Sequence, residues 1–561
     1  MPDSSSGQKR RVMVIGLDGA TFDLIRPWIE DGTMPTLQRL VQEGASGVLT
    51  TTLPPISSSA WVSFATGKNP GKHGLVDFVH PRQNSYQVSI VSPQQRASKA
   101  IWNLLSEQGR KVGIVGMPVT YPPEEVNGYM VSDFLTPSAS DDYTYPLSLA
   151  DELEQAMGGF PLLPDERYRS TKFTDRFIAD MVSDVERRLE GAEYLLDNKE
   201  SDFFFILFWS NDMLQHETWS LLDETHPLHD PQRANQFRDL VVDFHRKLDQ
   251  AVGRLVEKAG PEDLVVVMSD HGFGPVHSFF LVNNWLLEMG WLKLKKRPMT
   301  QLKYALFKLG FAPLGVFRLV SALRLGFLRR RFRFQRGGGL IKRLFLSFAD
   351  VDWQRTKAFA VGSFGQIYVN QAGKRPQGIV QPGKEYEELR NEIAARATEI
   401  RDPHSGQPVV EKVYRREDIY SGPLVEKAPD LVLQSRNWEY MAFGHADFGG
   451  SHVVEPIVGM SGHHRPDGII MVSGQGINPG ATLRDASIMD LAPTILYAMG
   501  IPIPSDMDGR VLSEAFTPDH LSTVQARYSN ELSERQTGED QYSLEDEEEI
   551  KERLRGLGYV G

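Results

Sequence analysis

The chain has no cysteine. That absence excludes disulfides, thiolate metal sites and a cysteine nucleophile, and it fits a reducing compartment. Also missing is any uninterrupted apolar run long enough to span a bilayer as a helix. The opening residues, MPDSSSGQKRR, lack the apolar centre of a signal peptide. The expectation from both absences is a cytoplasmic protein. Excess positive charge is lacking too. The formal net charge is −12 over 561 residues, which argues against a nucleic-acid partner. One absence is local: residues 291–349 contain 15 Lys/Arg and neither Asp nor Glu.

What is present is ordinary in bulk. Hydrophobic residues at 41% and charged residues at 24% suit a globular chain long enough to bury a large core. Short runs of Val, Ile, Leu and Phe recur at 11–19, 111–119, 202–212, 263–272 and 467–474. Runs of this kind read as strands buried on both faces. Helical periodicity lies between them, as in 34–44 and 98–109, with Ser98 as the expected N-cap of the latter. Strand alternating with helix predicts an α/β fold with a mainly parallel central sheet flanked by helices.

In such sheets ligands sit beyond the carboxyl ends of the strands. Asp18 follows the first run, Asp212 and His216 the third, and Asp270 and His271 the fourth. The pair His463 and His464 comes just before the fifth. Any one of these has a bland reading as a cap, a turn residue or a structural histidine. Together, three Asp and three His suffice for two divalent ions with mixed oxygen and nitrogen ligation, a set that suits zinc and tolerates manganese. Asp212 and His216 are four apart, so one helical turn can present both to one ion.

The stretch PPISSSAWVSFATGKNPGKHG, residues 54–74, adds Ser57, Ser58, Ser59 and Ser63. Serine clusters beside proline and glycine usually mark turns. In order with VIGLDG, NDMLQHETW, SDHGFGP and SGHHRPDG, however, this stretch resembles the alkaline phosphatase superfamily, in its branch of type I phosphodiesterases and nucleotide pyrophosphatases. The resemblance covers most of residues 11–290 and 350–515. It implies that Ser57, ten residues before the glycine of the TG pair, is the nucleophile. It implies that Asp18, Asp270 and His271 hold one metal, which also binds the Ser57 oxygen. It implies that Asp212, His216 and one late histidine hold the other. Related sequences place that histidine directly before R-x-x-G, which selects His464 over His463. Ser58 and Ser59 are then expected to be turn residues.

The implied activity is metal-dependent hydrolysis of a phosphodiester or phosphomonoester through a phosphoserine, with two divalent ions, zinc or manganese. The alternatives are a phosphomutase or phosphotransferase on the same fold, or a membrane-associated scaffold with a vestigial site. A sulfatase is disfavoured, because SSSAW lacks the Pro and Arg of that signature.

The expected organisation is a disordered N-terminus at 1–10 and a catalytic core at 11–280 and 350–520. A basic, apolar cap insertion is expected at 281–349, in a wider reading to about 440, and an acidic tail with a short helix at 521–561. The strand-like 358–370 and helical 385–400 fall in the wider cap. Interleaved Leu, Phe and cations in 291–349 suit either capture of an anionic phosphate-ester substrate or peripheral contact with an anionic membrane at the inner face.

Overall fold

The structure, a computed structural model, describes residues 10–82, 85–138, 140–163, 174–322, 344–444, 448–538 and 542–557. Its centre is a nine-stranded sheet. In chain order the strands are β1 (Val12–Leu17), β2 (Ala45–Thr50), β3 (Val112–Val115), β4 (Gly128–Val131), β5 (Thr144–Tyr145), β6 (Phe203–Phe208), β7 (Leu264–Met268), β8 (Asp467–Gly474) and β9 (Thr482–Ser487). Their spatial order is β9-β2-β8-β7-β1-β6-β3-β4-β5. The middle strands β7, β1, β6 and β3 run parallel. All six residues of β6 are fully buried, as a strand covered by helices on both faces must be. The α/β architecture with a mainly parallel sheet is therefore as expected.

One strand breaks the parallel pattern in a useful way. β8 is antiparallel to both β7 and β2. Its beginning therefore lies at the edge of the sheet where β1, β6 and β7 end. Residues just before β8 reach the same edge as residues just after the other three. That is why a histidine pair upstream of a strand joins aspartates downstream of strands.

Three local expectations are corrected. Ser98 is not a helix cap; the helix runs Ile101–Glu107 with Ala100 at the cap position, and Ser98 forms a β-bridge with Glu534. The run 358–370 is not one strand. It is a hairpin of Ala358–Ala360 and Gln366–Val369, whose connection uses Gly362 at φ +93° and Gly365 at φ +70°. Third, Ser58 and Ser59 are not in a loop turn. With Ser57 they open helix α1, Ser57–Thr66.

The hairpin belongs to a separate four-stranded antiparallel sheet with Val410–Arg415 and Leu431–Ser435. The helix Lys384–Thr398 covers it with Tyr386, Leu389 and Ile393 buried. Residues 1–9 lie outside the described residues, as does the most basic stretch, including Arg329, Arg330, Arg331 and Arg333. Among the described residues, no helix is long and apolar enough to cross a membrane.

Candidate active site

Two helices begin at the carboxyl edge of the sheet. Helix α1 starts at Ser57 and helix α2, Ser210–Leu222, follows β6 directly. In α1 the first backbone bond within the helix runs from the Ala60 N–H to the Ile56 carbonyl. The N–H groups of Ser57, Ser58 and Ser59 are thus left for a ligand, at the positive end of the helix dipole. Serine suits such a position because its short polar side chain competes poorly inside helices and well at their starts. The Ser57 hydroxyl lies 3.0 Å from His271 Nε2, and Ser57 is buried.

His271 is oriented by the chain itself. Its Nδ1 sits 3.0 Å from the Gly272 carbonyl, which only accepts, so Nδ1 carries the proton and Nε2 a lone pair. That lone pair is 3.5 Å from Asp18 Oδ1 and 3.3 Å from Asp270 Oδ2. Asp18 and Asp270 come from the ends of adjacent parallel strands, β1 and β7. The Gly19 N–H donates to Asp270 Oδ1 at 3.2 Å, and Trp61 Nε1 donates to Asp18 Oδ2 at 3.2 Å.

The second group is built in the same manner. His216 Nδ1 donates to the Gly462 carbonyl at 2.8 Å, and His464 Nδ1 to the Pro55 carbonyl at 2.9 Å. Their Nε2 atoms face each other at 3.3 Å. Asp212 lies 3.1 Å from His464 Nε2 and 3.4 Å from His216 Nε2. All seven sequence-derived residues, Ser57, Asp18, Asp212, His216, Asp270, His271 and His464, therefore meet in one buried place. Donor atoms lying within 4.8 Å of one another group as Asp18–Asp270–His271, as Asp212–His271–His464 and as His216–His463–His464. The sets share members, so the two positions adjoin; the His271 and His464 rings stack at 3.7 Å between centroids.

The donor chemistry fits cations. Asp18 Oδ1 and Asp270 Oδ2 are buried without a hydrogen-bond partner among the described residues. Burial, reinforced by Asp270 and Asp212, pushes the Asp18 carboxyl well above its usual range. Burial likewise pushes Asp270 up to about 7, with Asp212 adding to the rise. Burial would raise Asp212 as well, but His216 and His464 outweigh it and hold that carboxyl low. Burial and then His464 drive His271 well below the ordinary imidazole range, so it stands neutral. Without a cation, burial drives Asp18 and Asp270 toward the protonated form, the response of carboxyls crowded where positive charge is wanted. Divalent ions satisfy such a cluster, and nitrogen with oxygen donors suits zinc or manganese.

Several supporting residues escape sequence reasoning. Asn211 Nδ2 donates to the Asp18 carbonyl at 2.7 Å, and Gln215 Nε2 to the Gly19 carbonyl at 2.9 Å. Both flank Asp212 and His216 at a four-residue spacing on α2, which is the one signal that marks them. Gly19 has φ +67°, and a Cβ there would lie 2.9 Å from the Phe273 ring. His463 is buried beside the cluster and stacks on Phe364 at 4.7 Å. Neither of its ring nitrogens has a hydrogen-bond partner among the described residues.

Comparison with known proteins bears on this geometry. No curated protein matches the chain. Among solved structures, phosphonoacetate hydrolase from Sinorhizobium meliloti 1021 in complex with phosphonoformate is similar in fold. The TM-score is 0.51 at 15% identity, over 88% of this chain and 95% of that one. The same hydrolase with phosphonoacetate gives 0.50 at 15% identity and the same coverage, 88% and 95%. Human ectonucleotide pyrophosphatase / phosphodiesterase 5 aligns at 0.47 with 12% identity, over 88% of this chain and 95% of that one. Residues 12–455 match the profile of type I phosphodiesterases / nucleotide pyrophosphatases. With that match over most of its length and buried Asp/His donor sets at its sheet edge, the chain belongs to the type I phosphodiesterase / nucleotide pyrophosphatase family, metal-dependent phosphoric-ester hydrolases of the alkaline phosphatase superfamily.

Proposed function

We propose that the chain hydrolyses a phosphate ester with Ser57 as nucleophile and a phosphoserine intermediate. Asp18, Asp270 and His271 hold one divalent ion beside Ser57, and Asp212, His216 and His464 hold the other. Zinc is the ion the donor set favours, with manganese tolerated. When bound, the two ions neutralise charge on the attacking and leaving oxygens of an in-line displacement. The chain's own residues do the rest. Ser57 Oγ attacks phosphorus, the bond to the leaving oxygen breaks, the hydroxyl proton ends on that oxygen as the alcohol departs, and the phosphoryl group rests on Ser57. Water then cleaves the phosphoserine and returns the hydroxyl. The N–H groups at the start of α1 face the equatorial phosphoryl oxygens, where the helix dipole favours negative charge. Burial excludes bulk water and strengthens each of these interactions.

The observation that carries this reading is the 3.0 Å contact between the Ser57 hydroxyl and His271 Nε2, at the start of a helix whose preceding Pro55 carbonyl holds His464. The test uses metal-loaded protein with bis-p-nitrophenyl phosphate and p-nitrophenyl phosphate, which also separates diester from monoester preference. Ser57→Ala is expected to lose roughly three orders of magnitude or more in kcat while keeping its fold and metal content. Acid quenching followed by mass spectrometry is expected to find phosphate on Ser57 in the wild type. Near wild-type turnover by Ser57→Ala would refute the nucleophile.

A further inference from the structure

Helix α3, Pro298–Lys308, lies in the segment that lacks acidic residues. Its inward face is clear. Thr300 and Phe307 are buried, Thr300 Oγ1 donates to Asp350 at 2.9 Å, and Lys303 pairs with the same Asp350. An adjoining face is apolar and open to solvent. Met299 is 57% exposed, Leu302 52% and Leu309, just past the helix end, 83%. With half-buried Leu306 they follow i, i+3, i+7 and i+10, one narrow stripe of a helix. Leaving this stripe in water is costly, since each large side chain removed from water contributes roughly 1.5–3 kcal/mol.

The charge around the stripe is unneutralised. Lys293, Lys295, Lys296 and Arg297 precede it and Lys308 closes it. Among the described residues, none of these five has a carboxylate partner; Lys295 donates to the Ala349 carbonyl at 2.7 Å and Lys308 covers the Tyr304 ring at 4.8 Å. Elsewhere among the described residues most lysines are paired, as Lys111 is with Glu200 and Lys258 with Asp197, with exposed Lys412 and Lys427 as exceptions. An apolar stripe framed by cations that lack carboxylate partners is complemented by a surface that is apolar inside and anionic outside. The remainder of segment 291–349 contains no acidic residue that could neutralise this frame.

We propose that α3 is a membrane-docking surface, which inserts Met299, Leu302 and Leu309 shallowly into a bilayer of anionic lipid and places Lys295, Lys296 and Arg297 among the headgroups. No span is implied. The helix has 11 residues and lies along the interface. Juxtamembrane cations and buried apolar area add in such contacts. Docking would set the hydrolase against substrates presented at the bilayer, but the surface does not depend on which ester the site cleaves.

The experiment is co-sedimentation of the full-length protein with vesicles of phosphatidylcholine alone and of phosphatidylcholine with phosphatidylserine, at low and high salt. Binding is expected to the mixed vesicles only, and to weaken as salt screens the charges. Lys295→Gln, Lys296→Gln and Arg297→Gln together are expected to lower the partition coefficient on the order of a hundredfold. Leu302→Ser with Leu309→Ser is expected to lower it by at least about tenfold. Both variants leave the donor groups untouched and should hydrolyse a soluble ester at the wild-type rate. Leu309→Trp serves as a reporter, with an emission blue-shift expected on mixed vesicles. Absence of binding to mixed vesicles at low salt overturns the proposal. So does undiminished binding in both multiple variants, or an indole emission from the Leu309→Trp variant that does not move. If Leu302→Ser with Leu309→Ser instead converts a dimer into monomers in sedimentation velocity and leaves vesicle binding intact, the stripe is a contact between copies of the chain and the proposal fails.

Discussion

His463 and His464 are neighbours, equally buried, yet they have different surroundings. His464 Nδ1 is held by the Pro55 carbonyl and its Nε2 meets Asp212, whereas His463 stacks on Phe364. His464→Ala is expected to lose about one ion of two and more than about a hundredfold in turnover. His463→Ala is expected to keep both ions and stay within about tenfold. Metal analysis of the two variants decides; the same stoichiometry in both would sink the distinction. A second residue-scale expectation concerns Asp77, which is buried and accepts a hydrogen bond from the Phe78 N–H at 2.6 Å. Burial raises its carboxyl from 3.8 to about 7. Between those values the folded state binds a proton that the unfolded state has released, so stability falls as pH rises through this window. Asp77→Asn removes the titration and keeps an acceptor oxygen. Its unfolding free energy from denaturant titration is expected to fall less than the wild type's between pH 5 and pH 8, a difference on the order of a few kcal/mol. Parallel pH curves would refute this account.

At the scale of elements, helix α4, Leu544–Leu557, shows how an acidic segment is anchored. Ser543 Oγ accepts from the Asp546 N–H at 3.1 Å and so caps the start, with acidic residues in the first turn favoured by the dipole. Ile550 and Leu554, one turn apart, are fully buried, and Glu547 pairs with Arg82 and Lys551. Ile550→Ala is expected to weaken this docking by about 3 kcal/mol without changing the kcat for a soluble ester. Hydrogen exchange over 544–557 reads the change. Unaltered protection there would mean that the helix is not held by its apolar face.

For the whole molecule, the donor groups sit where several long-range elements meet. Ligand bound to the folded state stabilises it by mass action, worth about 4 kcal/mol at a thousand times the dissociation constant. Chelation with EDTA is therefore expected to lower the melting temperature and abolish turnover, and zinc or manganese should restore both. A melting temperature indifferent to EDTA, in protein shown by elemental analysis to have lost its ions, would argue against the cluster as a metal centre. Multi-element packing also explains why the site tolerates buried carboxylates at all. Asp18 is flanked by Trp61 and Asn211, and Asp270 by the Gly19 N–H.

Much of this is legible in the chain as written. Apolar runs specify buried strands because a strand covered on both faces has no polar alternative, and Asp18, Asp212 and Asp270 stand at or just past three of their ends. The spacing of Asp212 and His216 reads as one helix face because the period of a helix is local. Other features depend on partners far away in sequence. The Nδ1 of His464 is fixed by a carbonyl 409 residues distant, and no local pattern announces it. The antiparallel course of β8, which carries His464 to the common edge, is a matter of sheet pairing. The same holds for the hairpin at 358–370, where Gly362 and Gly365 reverse a run that alternation alone reads as continuous. Ser98 departs from its expected role because its bridge to Glu534 competes with the capping that its residue type favours. Local periodicity and residue chemistry thus decide which segments become strands and helices and which side chains can bind a metal. Only the tertiary pairing of strands and the distant carbonyls that set each imidazole's tautomer decide which of those side chains face one another, because both are contacts between residues hundreds of positions apart.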